Sequence, residues 1–179
     1  YASEEFCNML ERDVPVITKV SVTATDATNG TDSLEWGNAY ALDTLQHPGP
    51  YRFNVYRGIG FNNADELIHT TAEHAFLAHP DTHLVVSGLN TAANAYAYRI
   101  ELVGGNGVIG SSNTASSVYL SAAPNDEQVT LTVQHAVPWI NSAYDIYREE
   151  AGTWQLIATS PTPTYTDTGL VNGSSYCCL

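Results

Sequence analysis

The sequence predicts an all-β chain made of two consecutive β-sandwiches. Three observations lead there. Short runs of alternating apolar and polar residues recur from end to end, broken by Gly, Pro, Asn and Asp clusters. Thr, Ser, Asn, Gly, Ala, Val and Tyr dominate and Lys19 is the only lysine, which makes poor helices and good strands and turns. The order of these runs also repeats itself along the chain.

In the first series, residues 15–25 (PVITKVSVTAT) read as a strand, followed by the Asn29-Gly30 turn signal. Residues 33–36 follow, with Leu34 and Trp36 on one face, and then a long polar loop through His47-Pro48-Gly49-Pro50. Residues 51–57, 66–71, 83–86 and 95–103 are the next strands, and Gly104-Gly105-Asn106-Gly107 turns the chain into Val108-Ile109. Residues 72–78 (AEHAFLA) are the one stretch that suits a helical turn, too short to stand alone. The second series has strands at residues 117–122, 128–134, 143–148, 153–159, 164–166 and 175–179. In the run 128–134, Val129, Leu131 and Val133 share one face.

The two series align. Phe53-Asn54-Val55-Tyr56-Arg57 matches Tyr144-Asp145-Ile146-Tyr147-Arg148, and Glu66-Leu67-Ile68-His69-Thr70 matches Gln155-Leu156-Ile157-Ala158-Thr159. Gly88-Leu89 precedes Tyr96 as Gly169-Leu170 precedes Tyr176. One domain type is therefore used twice: a lead-in at residues 1–12, a first domain at 13–115, and a second at 116–179 that stops before its last strand. About seven short strands per ~100 residues point to a sandwich. No Gly/Ser or Pro linker separates the copies, so a stiff, end-to-end junction is expected. The predicted core comprises Trp36, Phe53 and Val55 in the first copy and Leu131, Val133, Ile146 and Cys178 in the second.

Nineteen acidic residues against six basic ones, a net charge of -13, argue against a nucleic-acid or anionic-membrane partner. No apolar run approaches the ~18 residues of a membrane span. The three cysteines are Cys7, Cys177 and Cys178. An odd number near the ends leaves Cys7 and Cys177 as candidates for disulfides to residues outside the chain. Alternation turns Cys178 inward beside Tyr176 and Cys177 outward, and no bond between Cys7 and the C-terminal pair is expected.

Leu34-x-Trp36, Tyr56-Arg57, and Gly88-Leu89 before Tyr96-x-Tyr98 together resemble fibronectin type III domains. Residues 166–173 (TDTGLVNG) followed by Tyr176 are similar to that family's corner between the fifth and sixth strands. The resemblance implies that Tyr96 and Tyr176 are corner tyrosines bonded to backbone just upstream. Residues 14–22, 43–51, 120–129 and 165–173 resemble the tandem fibronectin-like region of gliding-motility-associated surface proteins of Bacteroidota. Such proteins use type IX secretion, so this resemblance implies export to the cell surface or the medium.

Signals for chemistry are sparse. Gly105-Asn106-Gly107-Val108-Ile109-Gly110 fits a dinucleotide-binding pattern but sits in strand context, with no following helix to hold a pyrophosphate, and reads as a hairpin. His74, His79 and His83 with Asp81 have metal-ligating chemistry at a spacing that fits neither a helix face nor a strand face, and read as a solvated loop. Asp26, Asn29 and Asp32 offer oxygen ligands for calcium, but turn formation accounts for them. Glu149-Glu150 reads as a solvated strand end. Trp154 alternates with Leu156 and is expected at least half buried. Trp139, in the loop after the run 128–134, is the candidate ligand-binding aromatic; the alternative is that it caps its own core or wedges against the first copy. Asn29-Gly30-Thr31 and Asn172-Gly173-Ser174 match the Asn-linked glycosylation pattern and are equally plain turns. Asp32-Ser33-Leu34 and Asp43-Thr44-Leu45 match a short O-glycan acceptor pattern, of which Thr44 lies in a loop.

The expectation is a non-catalytic spacer, display or adhesion module of a large secreted surface protein, with no cofactor. Its expected partners are neighbouring domains of the same protein, surface glycans or envelope proteins. The alternatives are a carbohydrate-binding or accessory module of a secreted hydrolase, and an assembly subunit of the envelope or a secretion machine.

Overall fold

The structure, a computed structural model, describes residues 14–78 and 81–179. The described residues contain strands and no helix. In chain order the strands are β1 (Val16–Ala24), β2 (Gly30–Gly37), β3 (Arg52–Ile59), β4 (Glu66–Thr70), β5 (His83–Leu89), β6 (Tyr96–Gly104), β7 (Gly107–Ser111), β8 (Ala115–Ser116), β9 (Tyr119–Asn125), β10 (Gln128–Gln134), β11 (Tyr144–Glu150), β12 (Thr153–Ser160) and β13 (Thr164–Thr168).

The first unit is a sandwich of one sheet ordered β1-β2-β5 and another ordered β4-β3-β6-β7, with β8 continuing along the same edge of β6. Period-2 alternation fills the space between the sheets. Leu34 and Trp36 of β2 meet Phe53 and Val55 of β3 and Tyr98, Ile100 and Leu102 of β6, all buried. The Trp36 and Phe53 rings pack edge to face at 5.8 Å and 75°. Burying each such side chain stabilises the fold by about 1.5–3 kcal/mol.

Local chemistry sets the turns. Asp26 Oδ1 accepts the backbone N–H groups of Thr28 and Asn29, both at 2.7 Å, closing the chain between β1 and β2. Those bonds hold the Asp26 carboxyl below its usual range. Gly30 therefore opens β2 rather than the turn. A Cβ there would collide with Thr91 Oγ1 and the Leu89 carbonyl, which is why the position suits glycine. Residues 71–78 form no helical turn. His74 pairs with Tyr51 as an isolated bridge, and strand pairing wins over a segment too short to nucleate a helix.

The second unit repeats the plan with fewer strands. One sheet is ordered β9-β10-β13 and the facing layer is the β11-β12 hairpin. The hairpin turns at Ala151 (φ 51°) and Gly152 (φ 80°), as a two-residue turn matched to strand twist requires. The repeat holds at the level of register. Asn54 pairs with Thr70 as Asp145 pairs with Thr159, and a bulge follows at Val55/Tyr56 in one copy and Ile146/Tyr147 in the other. The threonine hydroxyl donates across the pair in both, Thr70 to Asn54 Oδ1 (3.0 Å) and Thr159 to Asp145 Oδ1 (2.6 Å). Tyr98 stands opposite Arg57, and Cys178 stands opposite Arg148.

Two core expectations for the second unit are corrected. Leu131 and Ile146 are buried, together with Leu170, but Val133 and Cys178 are half-buried. The facing layer is only two full strands wide, extended by the short pairing of residues 177–179 with β11, so part of the inner face of β10 is uncovered. On β12 Leu156 is 54 % exposed, and Trp154, at 47 %, is just over half buried, as its alternation predicts. Strand alternation alone does not bury a face that has nothing packed on it.

Candidate functional site

The two units meet around β8 and the loop after β10. Ser117 N–H donates to the Tyr96 carbonyl (2.8 Å), so the first sandwich runs two residues past the boundary read from the sequence. Ser116 then holds the second unit directly. Its N–H donates to the Ala136 carbonyl at 2.7 Å, and its hydroxyl accepts from the Ala136 N–H at 2.8 Å. Val137 and Trp139 pack against the core cluster of the first unit. Trp139 thus packs, partly buried, against the first copy, the place its alternative reading gave it. The apolar ring leaves water by covering the neighbouring core, which an isolated loop position does not offer.

A cavity of about 520 Å³ opens beside this junction. Leu120, Leu131, Val133, Tyr144, Ile146 and Cys178 of the second unit form one wall; Val20, Ser21 and Val22 of β1, with Thr91 and Ala92, form the other. The cavity therefore separates the flank of β1 from the second unit beside the junction. A second cavity of about 410 Å³ shares Leu120, Leu131 and Cys178 with the first. At the rim, His135 Nε2 lies 3.0 Å from Tyr144 Oη and 3.1 Å from Asn141 Nδ2, and the His135 and Tyr144 rings are stacked at 6.0 Å.

Both corner tyrosines occupy equivalent places. Tyr96 Oη accepts the Asn90 N–H at 2.9 Å, and Tyr176 Oη accepts the Val171 N–H at 3.0 Å. Gly88 and Gly169, one residue before each corner leucine, have φ of 73° and 75°, which glycine adopts without strain. An arginine lies over each ring, Arg57 at 5.7 Å from Tyr96 and Arg148 at 5.9 Å from Tyr176. Tyr96 is buried, whereas Tyr176 is 38 % exposed.

Two charged features were not legible as such. Asp32, read from the sequence as a turn former, is a wholly buried strand residue whose Oδ2 accepts the Tyr98 hydroxyl at 2.7 Å. The signal was present: Asp32, Leu34 and Trp36 are spaced by two and share a face. In the second unit Arg148 Nη1 reaches both oxygens of buried Asp167, at 3.0 and 2.8 Å, and Nη2 reaches Glu150 at 2.6 Å. Glu150 is therefore an ion-pair partner rather than a merely solvated strand end.

The remaining candidates are dispersed. His74 Nε2 lies 3.8 Å from Asp81, while His83 is hydrogen-bonded to Ser33 at 3.2 Å; His79 lies outside the described residues. Among the described residues no three His, Cys, Asp or Glu side chains group as a metal site. Residues 104–107 are the β6–β7 hairpin, and no helix follows. Thr44 is exposed in a turn where Asp43 Oδ1 accepts the N–H groups of Leu45 and Gln46. Cys177 is exposed and Cys178 half-buried, both as free thiols, and burial pushes the Cys178 thiol up. Cys7 lies outside the described residues.

No family model matches the chain, and no curated protein sequence matches it. Among solved structures it is similar to the FN1–FN3 domains of chicken CNTN1, at 10 % identity and a TM-score of 0.36, over 93 % of this chain. The chain spans 60 % of that structure's length. It is also similar to the third fibronectin III domain of the human KIAA0343 protein, at 16 % identity and a TM-score of 0.31, over 64 % of this chain and 90 % of that one. The all-β, two-sandwich fold rests on the chain's own strand order and register rather than on these likenesses.

Proposed function

We propose that the chain is a non-catalytic spacer or adhesion module of a larger exported surface protein of the gliding-motility type, with neighbouring domains as its principal partners. The observation that carries this reading is the junction. Two bonds between Ser116 and Ala136, one between backbones and one from the Ala136 N–H to the Ser116 hydroxyl, with Trp139 and Val137 seated on the neighbouring core, fix one unit to the next without a flexible linker. In the first unit long strands pair side by side over most of their length, so tension applied along them loads many ladder bonds together. The accessory-module reading draws its support from a free loop tryptophan, whereas Trp139 packs against the core cluster of the first unit.

Single-molecule stretching between attachment points at Val14 and Leu179 tests the spacer role. The expected trace contains a discrete, cooperative rupture of the first sandwich. Smooth extension without a rupture step contradicts a tension-bearing role.

A further inference from the structure

We propose that the outer face of the β11-β12 hairpin is a docking surface for a basic partner protein, which presents an arginine to Tyr147, Trp154 and Glu149. Alternation sets the face. Ile146 is buried and the Arg148 guanidinium reaches buried Asp167, so Tyr147 and Glu149, which alternate with them, point outward. Across the hairpin Leu156 stands opposite Tyr147, and Trp154 stands opposite Glu149. On the other side of β11, Leu179 exchanges two backbone bonds with Tyr147, both at 2.9 Å. Trp154, Leu156 and Leu179 are 47 %, 54 % and 65 % exposed, and cross-strand neighbours on one face lie within reach of one another. The result is a single apolar patch with the exposed carboxylate of Glu149 beside it.

The internal repeat supplies a template for the occupant. Tyr56 is the first-unit equivalent of Tyr147, and its β6 partner, Arg99, stands where Leu179 stands. Arg99 Cζ lies 4.2 Å from the centre of the Tyr56 ring, and Nη1 lies 3.4 Å from Glu101. In the second unit a leucine takes the place of that cation, while Glu149 and Trp154 take the places of Gly58 and Asp65. Aromatic faces and a carboxylate are present; the cation is not. Arg148 is the only Lys or Arg of residues 116–179, and it is bonded to Asp167 and Glu150. A second copy does not supply the cation either. Lys19, Arg52, Arg57, Arg99 and Arg148, the basic residues that the structure describes, are each paired with a carboxylate, and each copy carries a net charge of -13. Charge complementarity therefore selects a different, basic protein. Arginine suits the patch better than lysine, because its planar, weakly hydrated guanidinium stacks on a ring while its N–H groups reach a carboxylate. The proposal concerns one face of the second unit and does not rest on the spacer role.

The test is an NMR titration of the intact, ¹⁵N-labelled chain with the peptide acetyl-Thr-Arg-Val-Arg-Thr-amide. A second peptide with citrulline in place of arginine keeps the shape and removes the charge. The expected result is saturable shifts at the amides of Tyr147, Glu149 and Leu156 and at the Trp154 indole N–H, with the arginine peptide binding about fivefold tighter than the citrulline one. Glu149→Gln and Trp154→Ala should each weaken the arginine peptide by about two- to fivefold, and added salt should weaken it further. Glu149 is exposed, so Glu149→Gln keeps the test decisive even if Trp154→Ala fails to fold. Equal binding of the two peptides would reduce the face to a merely apolar patch and overturn the proposal. So would shifts that do not saturate or that lie away from the hairpin, an unchanged affinity in Glu149→Gln, or self-association of the chain through this face without peptide.

Discussion

Replacing Arg148 with methionine is expected to cost the second unit roughly 3 kcal/mol, the lower end of the range for removing one member of a buried ion pair. Asp167 is 4 % exposed and would lose both short bonds from Arg148, leaving a carboxylate in a small core without its counter-charge. The side chain of Arg148 is itself 21 % exposed, which keeps the cost from being larger. The second unit has few other ties between its layers, since its buried apolar side chains are Leu131, Ile146 and Leu170. The double variant R148M/D167L removes both charges and is expected to recover most of the loss, because an apolar pair has no stranded charge. Urea unfolding read at the amides of β10 and β13 measures both. Wild-type stability in R148M would show that Asp167 is already compensated by solvent.

Phe53→Ala is expected to destabilise the first unit by about 3–5 kcal/mol, the usual cost of emptying an aromatic site in a closed core. Phe53 is fully buried and packs its ring edge against Trp36. The repeat supplies an internal control. Tyr144 is the equivalent residue of the second unit, half-buried and lining an existing cavity. Tyr144→Ala removes a similar ring from a site that is not closed, so its effect should be less than half as large. Equal costs for the two substitutions would mean that the second core is as closed as the first.

Much of the first sandwich was legible because each local signal agreed with the others. Alternation gave the inward faces of β2, β3 and β6, and the Gly-Leu-to-Tyr spacing located corners at Tyr96 and Tyr176 that repeat down to a hydrogen bond and an overlying arginine. Reading failed where a residue's role depends on what faces it. Asp32 follows a cluster of turn formers, and its burial comes from Tyr98, which is 66 residues away. Val133 and Cys178 alternate like core residues, but the layer opposite them is narrow. Trp139 has no periodic neighbours to assign it a face, so its seat on the first unit comes from tertiary packing and left no mark in its own segment. The junction was legible only as the lack of a linker; the bonds of Ser116 are to a loop whose sequence gives no sign of pairing.

Residual dipolar couplings measured for backbone amides of β1–β6 and of β9–β13 in one weakly aligned sample test the stiff two-sandwich module most directly. A junction held by Ser116, Val137 and Trp139 predicts that both sets fit a single alignment tensor, and that Trp139→Ala separates them into two. Two tensors of different magnitude and orientation in the unmodified chain would contradict a rigid junction and, with it, the spacer role.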